Sequence, residues 1–176
     1  VIVIGRRVLR GTLRGVEQGT DLVNSFPEFG FTGLEDNFLA KTTYDLNIWL
    51  EAHGFDGVPL FGYDCRGQPV GVPVAPDKPP PNVILDYRIM AQAAGLGETG
   101  LNGMFLTPEF GPRQRFAMLL TDAAVEPDTP FKPRLCLDCG ACARACPLQA
   151  LDADQSSPYG LRGYARQVAG RNNVRC

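Results

Sequence analysis

Four cysteines fall within one eleven-residue stretch, and their spacing constrains this chain more than any other feature of the sequence. Cys136, Cys139, Cys142 and Cys146 follow the pattern C-x2-C-x2-C-x3-C, and a proline comes directly after the last of them. This spacing is typical of a short loop that holds a [4Fe–4S] cluster. Gly140 lies inside the loop, where the absence of a side chain lets the backbone wrap tightly. The stretch therefore predicts iron–sulfur ligands.

Two other uses of clustered cysteines fit less well. A zinc site takes separated cysteine pairs or a mixture of Cys and His, and the only histidine, His53, lies far upstream. Six cysteines in 176 residues are too few for a disulfide framework, and pairing inside so short a loop is geometrically disfavoured. Cys65 stands alone and is expected to be an ordinary thiol. Clustered, reduced cysteines are also typical of a reducing setting, which predicts a cytoplasmic location.

Composition indicates a globular chain in two parts. With 44% hydrophobic and 20% charged residues, the chain can bury a core. We expect an α/β domain over residues 1–130 and an iron–sulfur module over residues 131–176. The module carries seven basic and three acidic side chains, which would partly compensate an anionic cluster or dock an acidic partner. Nucleic acid is not an expected partner, and no run of 18 apolar residues predicts a membrane span.

The ends of the sequence suggest a piece of a longer protein. The chain opens on Val1 instead of Met and closes on Cys176. We therefore expect the α/β domain to be truncated at its N-terminus and the iron–sulfur module at its C-terminus.

Hydrophobic patterning predicts the main elements of the first part. Residues 1–4 are all β-branched, which predicts a short buried strand. Residues 115–121 form a second apolar strand, too uniformly hydrophobic for a sheet with one wet face. Between them we expect a helix capped by Asp36 or Asn37 and ended by Gly54. Its apolar stripe would include Ala40, Tyr44 and Ile48, with Leu46, Trp49 and Leu50 beside them.

A second helix is expected over residues 87–94, with Asp86 as its N-cap and Gly95 as its stop signal. Residues 95–100 then match G-x-G-x-x-G, but this is not a dinucleotide fingerprint. That motif requires a strand before it and a helix after it, whereas here a helix precedes it and a strand near residues 104–107 follows. Its glycines are expected to let the backbone turn and approach a large planar ligand or a neighbouring element.

Several segments together resemble a known superfamily. In order along the chain they are AGLGE at 94–98, LTPEFGPR at 106–113, LTD at 120–122 and the cysteine motif. This combination is similar to the epoxyqueuosine reductase and reductive dehalogenase superfamily. The resemblance implies a cobalamin held by a nitroreductase-like α/β domain with a covered sheet. It also implies two [4Fe–4S] clusters in an appended ferredoxin-like module.

The resemblance leaves two cluster assignments open. The family carries a second cysteine motif, and only Cys176 stands where that motif would begin. In a longer parent protein, Cys146 and Cys176 would belong to a second cluster, and the first cluster would take its fourth ligand from downstream. Otherwise Cys146 or Cys176 would close a single cluster. The expected metal ligands are Cys136, Cys139, Cys142, Cys146 and Cys176.

The same resemblance directs the remaining site predictions. The residues expected to contact the cofactor are Gly95, Leu96, Gly97, Gly100, Thr107 and Phe110. The candidates for orienting substrate and donating protons are Tyr44, Tyr63, Arg113 and Arg115.

These residues would serve an enzyme that passes electrons from the cluster to cobalamin for a reductive reaction. The expected electron donor is a protein such as ferredoxin or flavodoxin, and the substrate is a small molecule or a modified nucleoside. The alternative is a ferredoxin-like electron-transfer module that holds no corrinoid and serves another reductase. The chain lacks the Asp-Tyr-His stretch typical of epoxyqueuosine reductases, which argues against that substrate.

Overall fold

The computed structural model describes residues 1–20, 29–30, 33–60, 72–73, 75–78 and 85–176. Within these ranges the fold mixes helices and strands, as expected. The helices are α1 (Arg10–Glu17), α2 (Ala40–Ala52), α3 (Tyr87–Ala93) and α4 (Ala141–Arg144), and a π-helical segment (Leu34–Leu39) precedes α2. The strands are β1 (Ile2–Arg7), β2 (Gly57–Leu60), β3 (Glu98–Thr99), β4 (Phe105–Leu106), β5 (Gln114–Thr121), β6 (Leu151–Tyr159) and β7 (Arg166–Arg171).

Strand β5 is the centre of a three-stranded antiparallel sheet in the described part of the chain, with β1 on one side and β2 on the other. Ala117, Met118 and Leu119 are all buried, although successive residues of a strand point to opposite faces. This continuous apolar run explains why β5 takes the central position.

Other elements flank β5 on both faces. Arg115 forms an ion pair with Glu35 of the π-helical segment at 3.0 Å. The next residue, Phe116, points to the other face, where it stacks on Tyr87 of α3 at 6.2 Å between ring centroids. Near its start, β5 therefore contacts the π-helical segment on one face and α3 on the other.

The prediction for the first strand was right about its position and wrong about its burial. β1 extends three residues past the apolar run, because Arg6 and Arg7 continue the pairing with β5. Ile2 and Ile4 are half-buried, and Arg6 and Arg7 are exposed. The β-branched run lies on an outer strand of the described sheet, so only part of its surface is covered.

The helix expected before Gly54 forms, but its start differs from the prediction. Asp36 and Asn37 lie within the π-helical segment and cap nothing. At the other end α2 finishes at Ala52, and Gly54 adopts a left-handed conformation with φ of 82°. The glycine stop is therefore confirmed.

The apolar stripe predicted for α2 was right at Leu50, which is buried, and wrong at three other positions. Tyr44 is 62% exposed, Ile48 49% and Trp49 56%. The buried side of the helix consists of Leu50 and of Thr43, which the predicted stripe did not include. Thr43 can occupy a core position because its hydroxyl donates to the carbonyl of Leu39 at 3.0 Å, which satisfies its polar group.

Helix α3 begins and ends as predicted. The Asp86 carboxylate accepts the Arg88 N–H at 2.9 Å, which is an N-cap bond. Gly95 has a φ of 73°, and the Leu96 N–H reaches back to the carbonyl of Ala91 at 3.0 Å. These contacts form a glycine stop. The glycine-rich segment then enters β3, which pairs with β4, so it is not a strand–turn–helix motif.

The C-terminal part contains α4 followed by an antiparallel hairpin of β6 and β7. The pairing shifts register between Asp152 and Ser157. Tyr63 and Cys65 lie outside the described residues.

Candidate iron–sulfur site

The cysteine loop turns sharply on both sides of Cys139. Asp138 and Gly140 both have left-handed backbones, with φ of 51° and 69°. Such a conformation suits glycine and is tolerated by aspartate. Gly140 then caps α4, in which Cys142 lies. The loop therefore changes direction between consecutive cysteines.

Cys136 is held more closely than its neighbours in the motif. Its N–H donates to Oε1 of Glu98 at 2.6 Å, and the Leu135 N–H donates to the same oxygen at 2.6 Å. Its Sγ accepts the N–H of Leu101 at 3.3 Å. The thiol also lies 3.5 Å from Oδ1 of Asp138. Both the backbone and the sulfur of Cys136 are thus fixed by the β3–β4 hairpin.

Glu98 has no exposed surface. Its second oxygen, Oε2, accepts a hydrogen bond from Nε of Arg166 in β7. The same guanidinium donates through Nη2 to the carbonyls of Lys132 and Pro133, at 3.0 and 3.3 Å. We call this arrangement the Glu98 brace: Glu98, Arg166 and the N–H groups of Leu135 and Cys136. It joins β3, β7 and the start of the cysteine loop.

The sulfur of Cys146 lies near the backbone N–H groups of the residues that follow it. The Ala150 N–H donates to its Sγ at 3.3 Å. This hydrogen bond, with weaker contributions from the N–H groups of Leu148, Leu151 and Gln149, lowers the pKa of the Cys146 thiol despite partial desolvation. These N–H groups therefore favour a thiolate, which is the form that binds iron.

Cys176 lies next to a cation. Nη2 of Arg171 donates to its Sγ at 3.2 Å, and its own N–H bonds to the carbonyl of Asn172. The Asn172 side chain accepts the N–H groups of Val174 and Arg175 at 3.0 and 3.1 Å. The residue is exposed.

The chemistry of the cysteine thiols and of the groups around them suits an iron–sulfur cluster. Cys136 and Cys146 receive N–H···S hydrogen bonds, which are typical around cluster thiolates, and all five described cysteines are free thiols. In the described ranges, however, no three His, Cys, Asp or Glu side chains are arranged to hold a metal ion. The assignment of Cys136, Cys139, Cys142 and Cys146 as ligands thus depends on their spacing, and that of Cys176 depends on the superfamily resemblance.

The glycine-rich segment packs against its own chain. A Cβ added at Gly97 would lie 1.9 Å from the carbonyl oxygen of Leu106, and one at Gly100 would lie 2.9 Å from Cδ1 of Leu106. A Cβ at Gly95 would lie 2.9 Å from the Thr129 carbonyl oxygen. Of the two roles expected for these glycines, close approach to a neighbouring element accounts for all three. Leu96 is half-buried beside them.

Thr107 and Phe110 shape the turn that leads to β5. The Thr107 hydroxyl donates to Oε1 of Gln114 at 3.1 Å and accepts the Phe110 N–H at 3.2 Å. Gln114 is buried and donates to the carbonyl of Phe105 at 2.8 Å. The polar groups of this turn are therefore used within the hairpin, and contact of Thr107 and Phe110 with a cofactor stays a prediction.

The structure places the catalytic candidates on different elements. Tyr44 is exposed on α2, Arg113 is exposed before β5, and Arg115 lies within β5, paired with Glu35. Burial, partly opposed by Arg115, raises the pKa of Glu35. The roles of these three residues stay predictions, as does that of Tyr63.

A second polar cluster joins α3 to the C-terminal hairpin. The Tyr159 hydroxyl donates to Oδ2 of Asp86, and Arg88 both bonds to Asp86 and lies over the Tyr159 ring at 4.5 Å. Burial raises the pKa of Asp86, but hydrogen bonds from Arg88 and Tyr159 outweigh it and hold that pKa below the usual value. Burial and the bond to Asp86 raise the pKa of Tyr159.

Sequence reasoning missed the Glu98 brace. Glu98 appeared only as one letter of the superfamily resemblance, and Arg166 only as one positive charge among seven. One local signal was available: Glu98 is the only charged residue between Arg88 and Glu109. A single carboxylate in such an uncharged segment indicates either a buried side chain with a partner or a functional residue.

Comparisons with known proteins agree with the cysteine motif. The 4Fe-4S binding domain family (Fer4) matches residues 130–152. Tetrachloroethene reductive dehalogenase from Desulfitobacterium hafniense is 33% identical over 120 residues, which are 66% of this chain and 18% of that protein. The relative of the same name from Sulfurospirillum multivorans is 39% identical over 64 residues, or 35% of this chain and 13% of that protein.

Epoxyqueuosine reductase from Bacillus subtilis is 39% identical over 67 residues, which cover 38% of this chain and 17% of that protein. The chain thus spans less than a fifth of the length of these relatives. The resemblance to the epoxyqueuosine reductase and reductive dehalogenase superfamily is confirmed, and the match to the 4Fe-4S binding domain supports the iron–sulfur prediction for the cysteine loop.

A membrane-crossing helix is not found in the part of the chain that the structure describes, where each helix is too short or too polar.

Proposed function

We propose that this protein is an iron–sulfur oxidoreductase in which a [4Fe–4S] cluster passes electrons to a bound cobalamin for a reductive, dehalogenase-like reaction. The observation that carries the proposal is the 120-residue similarity to a reductive dehalogenase. That similarity covers far more than the residues matched by the 4Fe-4S domain family. A match of that length in a 176-residue chain necessarily includes residues of the α/β region that precedes the cysteine loop.

In this proposal Cys136, Cys139 and Cys142 hold the first cluster. Cys146 and Cys176 contribute to a second cluster in the longer protein. The Ala150 N–H at Cys146 favours the thiolate that such a ligand requires, and the Arg171 guanidinium donates a hydrogen bond to the sulfur of Cys176.

When bound, a cobalamin supplies a cobalt centre that accepts electrons and performs the bond-breaking chemistry. The chain's own part is to present the cluster ligands and to hydrogen-bond their sulfurs, as the N–H groups of Leu101 and Ala150 do at Cys136 and Cys146. We propose residues 1–130 as a nitroreductase-like domain for the corrinoid and residues 131–176 as the ferredoxin-like module. A cytoplasmic location fits clustered thiols.

The proposed electron donor is an acidic carrier such as ferredoxin or flavodoxin. Arg144, Arg162, Arg171 and Arg175 are all exposed on the C-terminal module. A surface of one sign steers a partner of the opposite sign and speeds association at low salt. We expect electron transfer from such a carrier to slow as ionic strength rises.

The substrate proposal favours an organohalide over a modified nucleoside. The similarity to the Desulfitobacterium dehalogenase covers 66% of this chain, against 38% for the Bacillus epoxyqueuosine reductase. Turnover of tetrachloroethene and of epoxyqueuosine by the reconstituted protein, compared side by side, tests this preference.

A second candidate is an electron-transfer module that binds no corrinoid. It is favoured by the glycine-rich segment, because the space beside Gly97 and Gly100 is filled by Leu106 of the same chain. The two candidates differ in cofactor content and agree on the cluster.

One experiment separates them. The full-length protein is purified without oxygen, incubated with cobalamin, desalted and measured by absorbance and iron analysis. Retained corrinoid together with iron supports the first candidate. Iron that bleaches reversibly with dithionite, without corrinoid, supports the second. Absence of iron would refute both.

A further inference from the structure

We propose that Glu98 is a positioning residue that fixes the Cys136 ligand and sets the reduction potential of the cluster bound there. The inference rests on the proposed cluster, and it assigns a role to a residue outside the cysteine motif. Glu98 touches no sulfur. It acts through the backbone of the loop that presents Cys136.

The carboxylate is placed to hold that backbone. Oε1 accepts the N–H groups of Leu135 and Cys136, both at 2.6 Å. Two donors on one oxygen fix the direction in which the chain enters the cysteine motif. The second donor is the N–H of Cys136 itself, which is bonded directly to the Cα that carries the thiol. The hydrogen bond to Glu98 therefore helps to fix the position of the Cys136 side chain.

Arg166 holds the carboxylate from the opposite side. Its side chain is 15% exposed, Glu98 is fully buried, and the two groups form an ion pair. The guanidinium also binds the carbonyls of Lys132 and Pro133. A buried charge needs such a full set of partners, because an unpaired one is costly. The brace therefore has one stable geometry.

The same hairpin reaches the sulfur itself. The N–H of Leu101, three residues beyond Glu98, donates to Sγ of Cys136 at 3.3 Å. The Leu101 carbonyl in turn accepts the N–H of Ala169 in β7 at 2.8 Å. Hydrogen bonds to cluster sulfurs and nearby charge both set the reduction potential. In the wild-type protein the Glu98 anion opposes the Arg166 cation. Loss of the anion would leave that cation unopposed near the loop, which makes addition of an electron easier and raises the potential.

The test compares Glu98→Gln with Tyr159→Phe. Glutamine keeps the size of the side chain but removes the negative charge and presents an amide to Arg166. Tyr159→Phe removes a hydrogen bond between α3 and the C-terminal hairpin, the bond to Asp86, without touching the cysteine loop. The variants are made in the full-length protein with reconstituted clusters. Midpoint potentials are followed by electron paramagnetic resonance.

We expect Glu98→Gln to raise the midpoint potential of the Cys136 cluster and to leave any other cluster unchanged. We also expect the cluster in Glu98→Gln to convert to a three-iron form about tenfold faster than in the wild-type protein. A tenfold change in rate corresponds to roughly 1.4 kcal/mol in the activation barrier. Tyr159→Phe should lower stability and leave potential and conversion rate unchanged. Equal effects of the two variants would overturn the proposal.

Glu98→Asp covers the case in which Glu98→Gln does not fold. Aspartate keeps the charge, but its shorter side chain cannot reach Arg166 and both N–H groups together. We expect faster cluster loss with little change in potential. Loss of the whole fold in both variants would make Glu98 a core residue and overturn the proposal. A wild-type protein without iron would refute the proposed function as well.

Discussion

The outer face of α2 and the Glu98 brace reverse the usual distribution of polar and apolar side chains. On α2, Tyr44, Ile48 and Trp49 are largely exposed, while Thr43 is buried. At the brace, a glutamate is fully buried and its arginine partner nearly so. Apolar residues exposed singly on a surface are ordinary, whereas a buried charge is rare and needs a set of partners.

The difference shows where a substitution should matter. On α2 the exposed aromatic rings contribute little to the core, because a threonine bonded to its own helix occupies the buried row. At the brace every polar atom of one carboxylate is committed to a partner from another segment. Stability should therefore depend on the buried carboxylate more than on the large exposed rings.

The largest effect is expected for Glu98→Ala. It leaves Arg166 and two N–H groups without their acceptor inside the protein, so the free energy of unfolding should fall by about 3–5 kcal/mol. Urea denaturation measures this loss. Asp45→Asn is the control, because it breaks the exposed pair between Lys41 and Asp45. That pair should contribute only about 0–1 kcal/mol. Similar losses of unfolding free energy in Glu98→Ala and Asp45→Asn would contradict the proposed difference between the buried brace and an exposed ion pair.

Two substitutions on α2 sharpen the comparison within one helix. Leu50 is buried, so Leu50→Ala should cost about 2–5 kcal/mol in unfolding free energy through lost burial and a cavity. Ile48 is half exposed, so Ile48→Ala should change it by only about 0.5 kcal/mol. Thermal or urea denaturation of both variants measures the difference. A large loss from Ile48→Ala would mean that this face of α2 is covered in solution.

A smaller, pH-dependent effect is expected for Asp86→Asn. The native pKa of Asp86 lies below the ordinary aspartate value of 3.8. Its ionised form therefore adds stability above that value, and the contribution disappears as the pH falls through the lower native pKa. At neutral pH the variant should lose about 1–3 kcal/mol.

Unfolding measured across pH checks this prediction. The gap between wild type and Asp86→Asn should be largest at neutral pH and close under strongly acidic conditions. A gap that stays constant with pH would show that Asp86 does not act through its charge.

Local rules predicted the elements that depend on neighbours in sequence. Asp86 caps α3 and Gly95 ends it as expected, because both effects involve residues within one turn of the helix. The cysteine spacing likewise acts within a single loop. The central strand was recognisable from its continuous apolar run, without knowledge of its partners.

Features that depend on distant segments were missed. One failure was local instead: the pattern of α2 suggested burial of Tyr44, because hydrophobic periodicity does not register that the Thr43 hydroxyl can bond to the Leu39 carbonyl one turn earlier. Arg166 lies 68 residues beyond Glu98, and no local signal joins two charges across that distance. The prediction that β1 is buried was wrong for a related reason. An outer strand and a central strand can both have a continuous apolar sequence, so the sequence alone does not tell which position a strand takes.

The most direct test of the central claim is the iron content and electron paramagnetic resonance spectrum of Cys139→Ser, measured beside Cys65→Ser. Cys139 lies in the middle of the cysteine motif, whereas Cys65 lies far from it in sequence. The account predicts that Cys139→Ser loses the cluster or retains only a three-iron form, while Cys65→Ser keeps the wild-type spectrum. A full [4Fe–4S] spectrum in Cys139→Ser would contradict the assignment of the loop and the redox function built on it.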